Sequence, residues 1–389
     1  MSRANVIILT AGGSGGHLTP LMSVAEELRE RLPTTKLIYI GQTGDGLGDI
    51  MQNNPLFDAV YTVRAGKFRR YHGAGLKQLL DVKTMALNGR DFVYVCIGFF
   101  QATRLLGHLN PKIVFSRGGF VSVPVCLAAA TQRIPYITHD SDAHPSLANR
   151  IIARWAKIHA VSLPKENYNY PQDKTVNTGV PLQKHFKRVT EAGMAVARNT
   201  LGLPLDAKVL LVIGGGLGAQ RVNNAVAEGS KQLFKLVPKL HILHVAGRAG
   251  EESTSDIYKK VLSQEVMTEK VKMYGFSSEV ARLSAASDVV ITRAGATNMA
   301  EFAVQGKACI VVPNPQLTGG HQLKNAAVYL KKDAVRVVAE QNLASLPAVA
   351  AQLLGDKAAQ EVLGENLHSF ANSGAAASIA NLLITLIEK

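Results

Sequence analysis

The chain has 389 residues and sets 43 Lys and Arg against 29 Asp and Glu, a formal charge of +14. At 47% hydrophobic and 19% charged, it is too apolar for a disordered polycation, and its length suits two domains that each bury a core. No uninterrupted apolar run reaches the roughly 18 residues a membrane span needs, and the N-terminus enters a strand pattern with no secretory h-region. Cys96, Cys126 and Cys309 have no metal spacing and are expected as reduced, buried thiols of a cytoplasmic protein.

Short apolar runs alternate with amphipathic stretches along the chain. Val6 to Leu9 reads as a buried strand, followed by a Gly-rich turn and a helix over about Pro20 to Arg31. Leu37 to Ile40, Lys112 to Phe115, Pro135 to Thr138 and Ile158 to Val161 continue the series. Strands apolar on both faces, separated by helical patterns, indicate a parallel sheet covered by helices. After the Gly/Pro stretch Asn177 to Leu182, which suits a hinge, the pattern restarts at Lys208 to Ile213. Strands near His241–Val245, Lys270–Met273, Val289–Thr292 and Ile310–Pro313 follow, then a last helix over about Ala375 to Glu388. The expected architecture is α/β: two Rossmann-like, doubly wound parallel-sheet domains facing across a cleft, residues 1–178 and 179–367, with the terminal helix of 368–389 packing back on the first.

Three Gly-rich loops follow strands. The first is Gly12-Gly13-Ser14-Gly15-Gly16-His17, the second Ser116-Arg117-Gly118-Gly119-Phe120, the third Gly214-Gly215-Gly216-Leu217-Gly218. Glycines let a backbone approach a ligand closely, and a helix N-terminus offers free N–H groups to phosphate. The paired glycines match neither the dinucleotide fingerprint nor a P-loop. Three such loops point to a site that handles more than one phosphate group. His17 reads either as a structural histidine or as a group for proton transfer or charge compensation. Further on, Thr292-Arg293-Ala294-Gly295 leads into a helix starting near Ala296, with Glu301 one turn inside it, placed to accept hydrogen bonds from a vicinal diol such as a ribose. His321-Gln322 follows. Asp140-Ser141-Asp142 matches a metal-holding DxD triplet, a pattern cheap enough to arise by chance, and no other metal spacing occurs.

The charge is uneven. Residues 61–120 hold ten Lys and Arg against Asp81 and Asp91, leaving +6 for the rest of the chain. Within this zone Phe92 to Phe100 forms an apolar run flanked by Arg90 and Arg104, with Lys77 and Lys83 upstream. A buried core segment and a lipid-docking patch both fit it. A nucleic-acid footprint fits poorly, because the cations interleave with apolar stretches and not with stacking aromatics.

Taken together and in this order, these blocks resemble the MurG family, bacterial peptidoglycan N-acetylglucosaminyltransferases of the GT-B fold. The resemblance implies transfer of GlcNAc from UDP-GlcNAc to the muramoyl 4-hydroxyl of lipid I, a polyprenyl-diphosphate-linked muramoyl peptide, with inversion, at the cytoplasmic face of the cell membrane. It implies catalytic roles for His17 and Asp140. It implies donor contacts at Ser14, Gly15, Gly16, Asp142, Gln183, Gly216, Ser277, Ala296, Thr297, Asn298, Met299, Ala300, Glu301 and Gln322, with Phe276-Ser277 lining the uracil pocket. Acceptor contacts fall on Gly12, Gly13, Gly118, Gly119 and Asn149. Membrane contacts fall on Lys77, Lys83, Arg90, Phe92, Phe99, Phe100 and Arg104. The DSD triplet then sits on the family's His-Glu-Gln-Asn block, here His139-Asp140-Ser141-Asp142, and no metal or other cofactor is expected. Gly216 replaces a Ser, Gln183 an Arg, and Phe120 an aromatic hydroxyl. A related enzyme glycosylating diacylglycerol, a sugar-nucleotide epimerase, an inactive relative and a nucleic-acid-binding module are the alternatives.

Overall fold

The computed structural model describes residues 5–12, 15–68, 82–215 and 219–388, with His17 and Lys83 among them by backbone only. Gly13, Ser14, Lys77 and Gly216 lie outside the described residues. The chain divides into one unit of residues 1–184, 316–321 and 372–389 and another of 185–315 and 322–371. The Asn177–Leu182 stretch thus falls inside the first unit.

The first unit holds a seven-stranded sheet: β1 (Val6–Thr10), β2 (Lys36–Gln42), β3 (Ala59–Val63), β4 (Ile113–Ser116), β5 (Tyr136–Asp140), β6 (Ile158–Val161) and β7 (Thr175–Asn177). Its order is β3-β2-β1-β4-β5-β6-β7, and every pairing is parallel. The central strands β4 and β5 are buried throughout, as continuous apolar runs in a two-faced sheet require. One face packs on the Gly15–Arg31 helix and the terminal Ala375–Glu388 helix, whose Ile379, Ala380 and Leu383 join Leu21, Val24 and Leu28 in one core. Each fully buried Ile or Leu there contributes about 1.5–3 kcal/mol. The other face packs on the Val82–Leu109 and Ser122–Thr131 helices.

The second unit repeats the plan with β8 (Lys208–Ile213), β9 (Leu240–Val245), β10 (Val271–Tyr274), β11 (Val289–Thr292), β12 (Ala308–Val311) and β13 (Arg336–Val337). They are ordered β10-β9-β8-β11-β12-β13 and are again all parallel.

Three expectations change. The first helix begins at Gly15, not near Pro20; Pro20 sits inside it and costs one backbone bond. The run Phe92–Phe100, read as a buried core segment or a lipid-docking patch, belongs to the 28-residue helix Val82–Leu109. That helix, from Thr84 to Leu109, is long and apolar enough by length and hydropathy to cross a membrane, which the search for an uninterrupted apolar run missed because Arg90, Asp91 and Arg104 break it. Cys126 and Cys309 are buried free thiols, but Cys96 is only half-buried, because it lies on the outward flank of the same helix.

Candidate active site

In each sheet the strand order reverses once, between β1 and β4 in the first and between β8 and β11 in the second. At such a switch point the connections leave to opposite faces, and a crevice opens at the carboxyl ends of the two strands. The first and second Gly-rich loops follow β1 and β4. The third loop and the Arg293–Gly295 turn follow β8 and β11. All four segments chosen from sequence therefore stand at the two positions where doubly wound sheets bind ligands.

In the first unit, Gly118 and Gly119 have φ of +85° and +86°, a left-handed conformation that costs glycine nothing. A Cβ on Gly119 would stand 2.7 Å from the Gly12 carbonyl oxygen, and one on Gly12 would overlap the Val121 side chain. These glycines thus press the two loops together. A Cβ on Gly118 would meet the Asn149 amide at 3.3 Å, and Asn149 itself donates to the His139 carbonyl at 2.9 Å. The Gly15–Arg31 helix starts at the end of the first loop, with no acidic residue in its first turn.

Asp140 ends β5 and is 4% exposed. Its carboxylate accepts from the Tyr170 hydroxyl at 2.8 Å and from the Ser146 N–H at 3.1 Å. Burial pushes its pKa up to about 6, against the lowering effect of hydrogen bonds from Tyr170, Ser146 and Asn149. This carboxylate is spent on holding the turn before the Leu147–Ile152 helix, which Ser146 caps. Arg117 is 4% exposed and donates to the Ser141 hydroxyl; burial lowers its pKa to about 10, with Asp142 and Asp140 acting in the opposite direction. Arg117 is therefore no part of a surface basic zone. Asp142 is half-buried, and its carbonyl accepts from the Tyr168 hydroxyl. Gln183 is half-buried in the same unit.

In the second unit, the helix Ala296–Gln305 follows Gly295, and no side chain caps it. Its first intrahelical bond runs from Met299 N–H to the Gly295 carbonyl at 3.0 Å. The N–H groups of Ala296, Thr297 and Asn298 precede that bond, at the positive end of the helix dipole. Gly215 has φ +85°, and a Cβ there would stand 3.8 Å from the Asn298 amide nitrogen. Met299 is fully buried, so its side chain is core and its N–H is spent. Ala300 is half-buried. Burial pushes the Glu301 carboxyl up to about 8, and no hydrogen bond or ion pair holds it among the described residues. Gln322 uses its carbonyl oxygen to accept from the Asn314 N–H at 2.9 Å, which leaves its amide N–H groups as donors. Ser277 accepts from the Glu279 N–H at 3.0 Å, beside Phe276, which is 65% exposed.

Sequence reading quoted Arg293 within its block but did not foresee the partners that fix these loops. Arg293 reaches the Val312 carbonyl at 3.1 Å and Glu340 at 2.6 Å, and Glu340 also pairs with Arg221 at 3.4 Å. Asn325 donates to the Ala294 carbonyl at 2.9 Å. Arg293 and Glu340 are 47 residues apart, beyond any local pattern. Among the described residues, no group of three or more His, Cys, Asp or Glu is arranged to hold a metal ion.

On the helix Val82–Leu109, Ala102 and Leu106 are buried while Phe92, Val93 and Phe100 are 59%, 53% and 70% exposed. Phe99 is half-buried and packs on the sheet-facing core, so it does not share the outward face with Phe100. Arg90 and Arg104 are exposed, and Arg90 and Arg64 both sit over the Tyr94 ring, at 5.4 and 5.5 Å from its centroid.

Comparison with known proteins closes the assignment. Residues 7–161 match the glycosyltransferase family 28 N-terminal domain, and residues 209–380 match its C-terminal domain. The solved structure of Acinetobacter baumannii MurG is similar at a TM-score of 0.72 and 21% identity, covering 98% of this chain and 99% of that one. A Staphylococcus aureus MnaA–UDP structure is similar at a TM-score of 0.65 and 12% identity, over 99% of this chain and 98% of that one; at these identities both show the fold alone. The UDP-N-acetylglucosamine--N-acetylmuramyl-(pentapeptide) pyrophosphoryl-undecaprenol N-acetylglucosamine transferase of Clostridium kluyveri is 32% identical over 98% of this chain and 99% of its own length. The same-named protein of Caldicellulosiruptor saccharolyticus is 32% identical over 92% of each. The chain is a glycosyltransferase with two Rossmann-like domains, and it belongs to the MurG family.

Proposed function

We propose that this enzyme transfers GlcNAc from UDP-GlcNAc to the 4-hydroxyl of the muramoyl sugar of lipid I, making lipid II for peptidoglycan synthesis. The observation that carries the donor half is the uncapped start of the Ala296–Gln305 helix with the unpartnered Glu301 carboxylate one turn inside it. A diphosphate at Ala296, Thr297 and Asn298 would receive three N–H groups and the helix dipole, and Glu301 would accept from the two ribose hydroxyls. The acceptor half is supported by the paired Gly12 and Gly119 loops at the first switch point.

Chemically, the acceptor oxygen attacks the anomeric carbon as its bond to the β-phosphate oxygen breaks, which inverts the configuration. The hydroxyl proton passes to His17 as general base, and UDP leaves with its added charge met by the helix N-terminus. This chemistry asks for no metal. Asp140 serves as a positioning carboxylate for the acceptor turn. The enzyme works at the cytoplasmic face of the membrane, docked through Phe92, Val93 and Phe100 with Arg90 and Arg104 toward anionic headgroups. The Thr84–Leu109 helix lies along that surface and does not cross it, because Ala102 and Leu106 on its other face are buried in the protein core.

Labelled UDP-GlcNAc, offered with lipid I or with diacylglycerol, tests the reading. Label is expected on lipid I; label on diacylglycerol alone would sink it. His17→Ala and Glu301→Ala should each abolish most transfer.

A further inference from the structure

A fully buried polar chain starts on the helix that follows the second unit's Gly-rich loop. Asn223, on the helix Gln220–Glu228 that opens from this loop, donates through Nδ2 to the Ala246 carbonyl at 2.8 Å. Its Oδ1 is thereby left to accept, and it lies 3.2 Å from His244 Nε2. The Nε2 must then carry the proton, so Nδ1 is an acceptor. The Tyr258 hydroxyl fills it at 2.9 Å. Each partner fixes the next, and the tautomer is fully determined. All three residues are 0% exposed. Burial drives the His244 pKa down to about 3, so the ring stays neutral across the physiological range.

The chain joins the carboxyl ends of two strands. Asn223 binds the segment leaving β9, where Ala246 N–H donates to the Tyr274 carbonyl at the end of β10. That segment carries Arg248, whose guanidinium lies 5.1 Å over the exposed Phe276 ring. Gly250 closes on the same helix: a Cβ there would meet the Gln220 amide at 2.7 Å and the Asn223 amide at 3.2 Å. The segments after β8, β9 and β10 are thus tied by the Asn223–Ala246 and Ala246–Tyr274 bonds, and the His244 ring fixes the Asn223 amide that makes the first of them.

We propose that His244 is a positioning residue for nucleotide binding: through Asn223 it holds the helix Gln220–Glu228 and the Arg248–Phe276 wall at the spacing a uridine diphosphate requires. This rests on the donor reading above. His244 touches no substrate. Its loss should act on donor affinity and leave the acceptor side unchanged.

The test measures UDP binding by calorimetry, donor and acceptor KM, kcat, and the urea midpoint for the wild type, His244→Phe, His244→Gln and Tyr258→Phe. His244→Phe strands two buried partners and has the larger folding cost. Tyr258→Phe removes only the outermost hydroxyl and keeps the fold accessible to measurement. Expected are a rise in UDP Kd of about tenfold, equivalent to 1.4 kcal/mol, in His244→Phe, and a smaller rise in Tyr258→Phe. His244→Gln, which keeps a donor toward Asn223, should recover part of the loss. Acceptor KM should not move in any of them. A lowered urea midpoint with unchanged UDP Kd in Tyr258→Phe and His244→Gln would make the chain simple core and overturn the proposal. Wild-type protein that binds no UDP would overturn the donor reading, and the proposal with it.

Discussion

Gly119 and Gly12 meet backbone to backbone at the first switch point, where a Cβ on Gly119 would stand 2.7 Å from the Gly12 carbonyl oxygen at a φ of +86°. An alanine at 119 meets both a steric and a conformational penalty, at least about 1 kcal/mol in the folded state. Because the strain falls on the contact that joins the first two Gly-rich loops, Gly119→Ala should raise the acceptor KM strongly. UDP affinity, which the proposed donor site assigns to the second unit, should stay at the wild-type value. Unchanged acceptor kinetics in this variant would show that the loop contact is not part of the acceptor site.

Glu301 gives a pH signature. Its carboxyl keeps a proton until about pH 8 in the folded chain, against an ordinary value of 4.5. Between those values the folded state binds more protons than the unfolded one, so the stability of the ligand-free enzyme falls as pH rises through this window. In the proposed donor pose the ribose hydroxyls donate to the ionised form. Donor binding should therefore strengthen toward pH 8 and release a proton, measurable by calorimetry in buffers of different ionisation enthalpy. Glu301→Gln should flatten both slopes and weaken UDP-GlcNAc binding by about tenfold or more, because hydrogen bonds to a charged group are lost. A variant that keeps the proton release would exclude Glu301 as its source.

Asp140 separates positioning from proton transfer. With Tyr170 and Ser146 both donating to it, an alanine leaves two buried donors unsatisfied, each costing about 1–3 kcal/mol. Asp140→Ala should lower the urea midpoint sharply. Asp140→Asn retains an acceptor and should keep transfer within about tenfold of wild type, with the same pH–rate profile. If instead a limb near pH 6 disappears in Asp140→Asn, this carboxylate moves a proton in the reaction.

A metal-free mechanism has its own check. The DSD triplet's first carboxylate is already committed to protein donors, and in the proposed mechanism the leaving diphosphate is met by a helix N-terminus. Transfer assayed after exhaustive EDTA dialysis should keep most of its rate. Complete loss, restored by a divalent cation, would require a metal at the diphosphate.

Much of this site was legible because the residues that make a switch-point crevice are local. A β-branched run followed by paired glycines marks strand, turn and helix within about 15 residues, as Val6–His17 and Lys208–Gln220 do. The start of the helix at Ala296 was legible for the same reason. What fixes these loops was not legible, because it depends on distant partners. Arg293 finds Glu340 47 residues away, and Asp140 finds Tyr170 30 residues away, beyond the end of β6. One sequence signal was available and went unused: His244 sits in a strand otherwise apolar at that end. A polar ring at such a position needs buried partners, and Asn223 and Tyr258 supply them.

In the proposed docking mode, the outward face of the helix Val82–Leu109 is what meets the membrane that carries the lipid acceptor. Phe92 and Phe100 lie two turns apart and are both more than half exposed, with Val93 between them and Arg90 and Arg104 at the margins. Phe99 is next to Phe100 in sequence, its ring 5.5 Å away, yet it packs inward on the core with Val95 and Leu105. The two phenylalanines therefore predict different outcomes. Phe92→Ser with Phe100→Ser should reduce binding to vesicles rich in anionic phospholipid while leaving the urea midpoint and UDP affinity unchanged. Phe99→Ser should instead destabilise the first unit, by up to about 3–5 kcal/mol if it behaves as a core truncation, with vesicle binding lost only as far as the protein unfolds. Replacing Arg90 and Arg104 with Gln should weaken binding to anionic vesicles and leave the weak binding to zwitterionic ones unaltered, since the electrostatic part acts only on charged headgroups. Vesicle binding indifferent to Phe92 and Phe100 would place the docking surface elsewhere on the molecule.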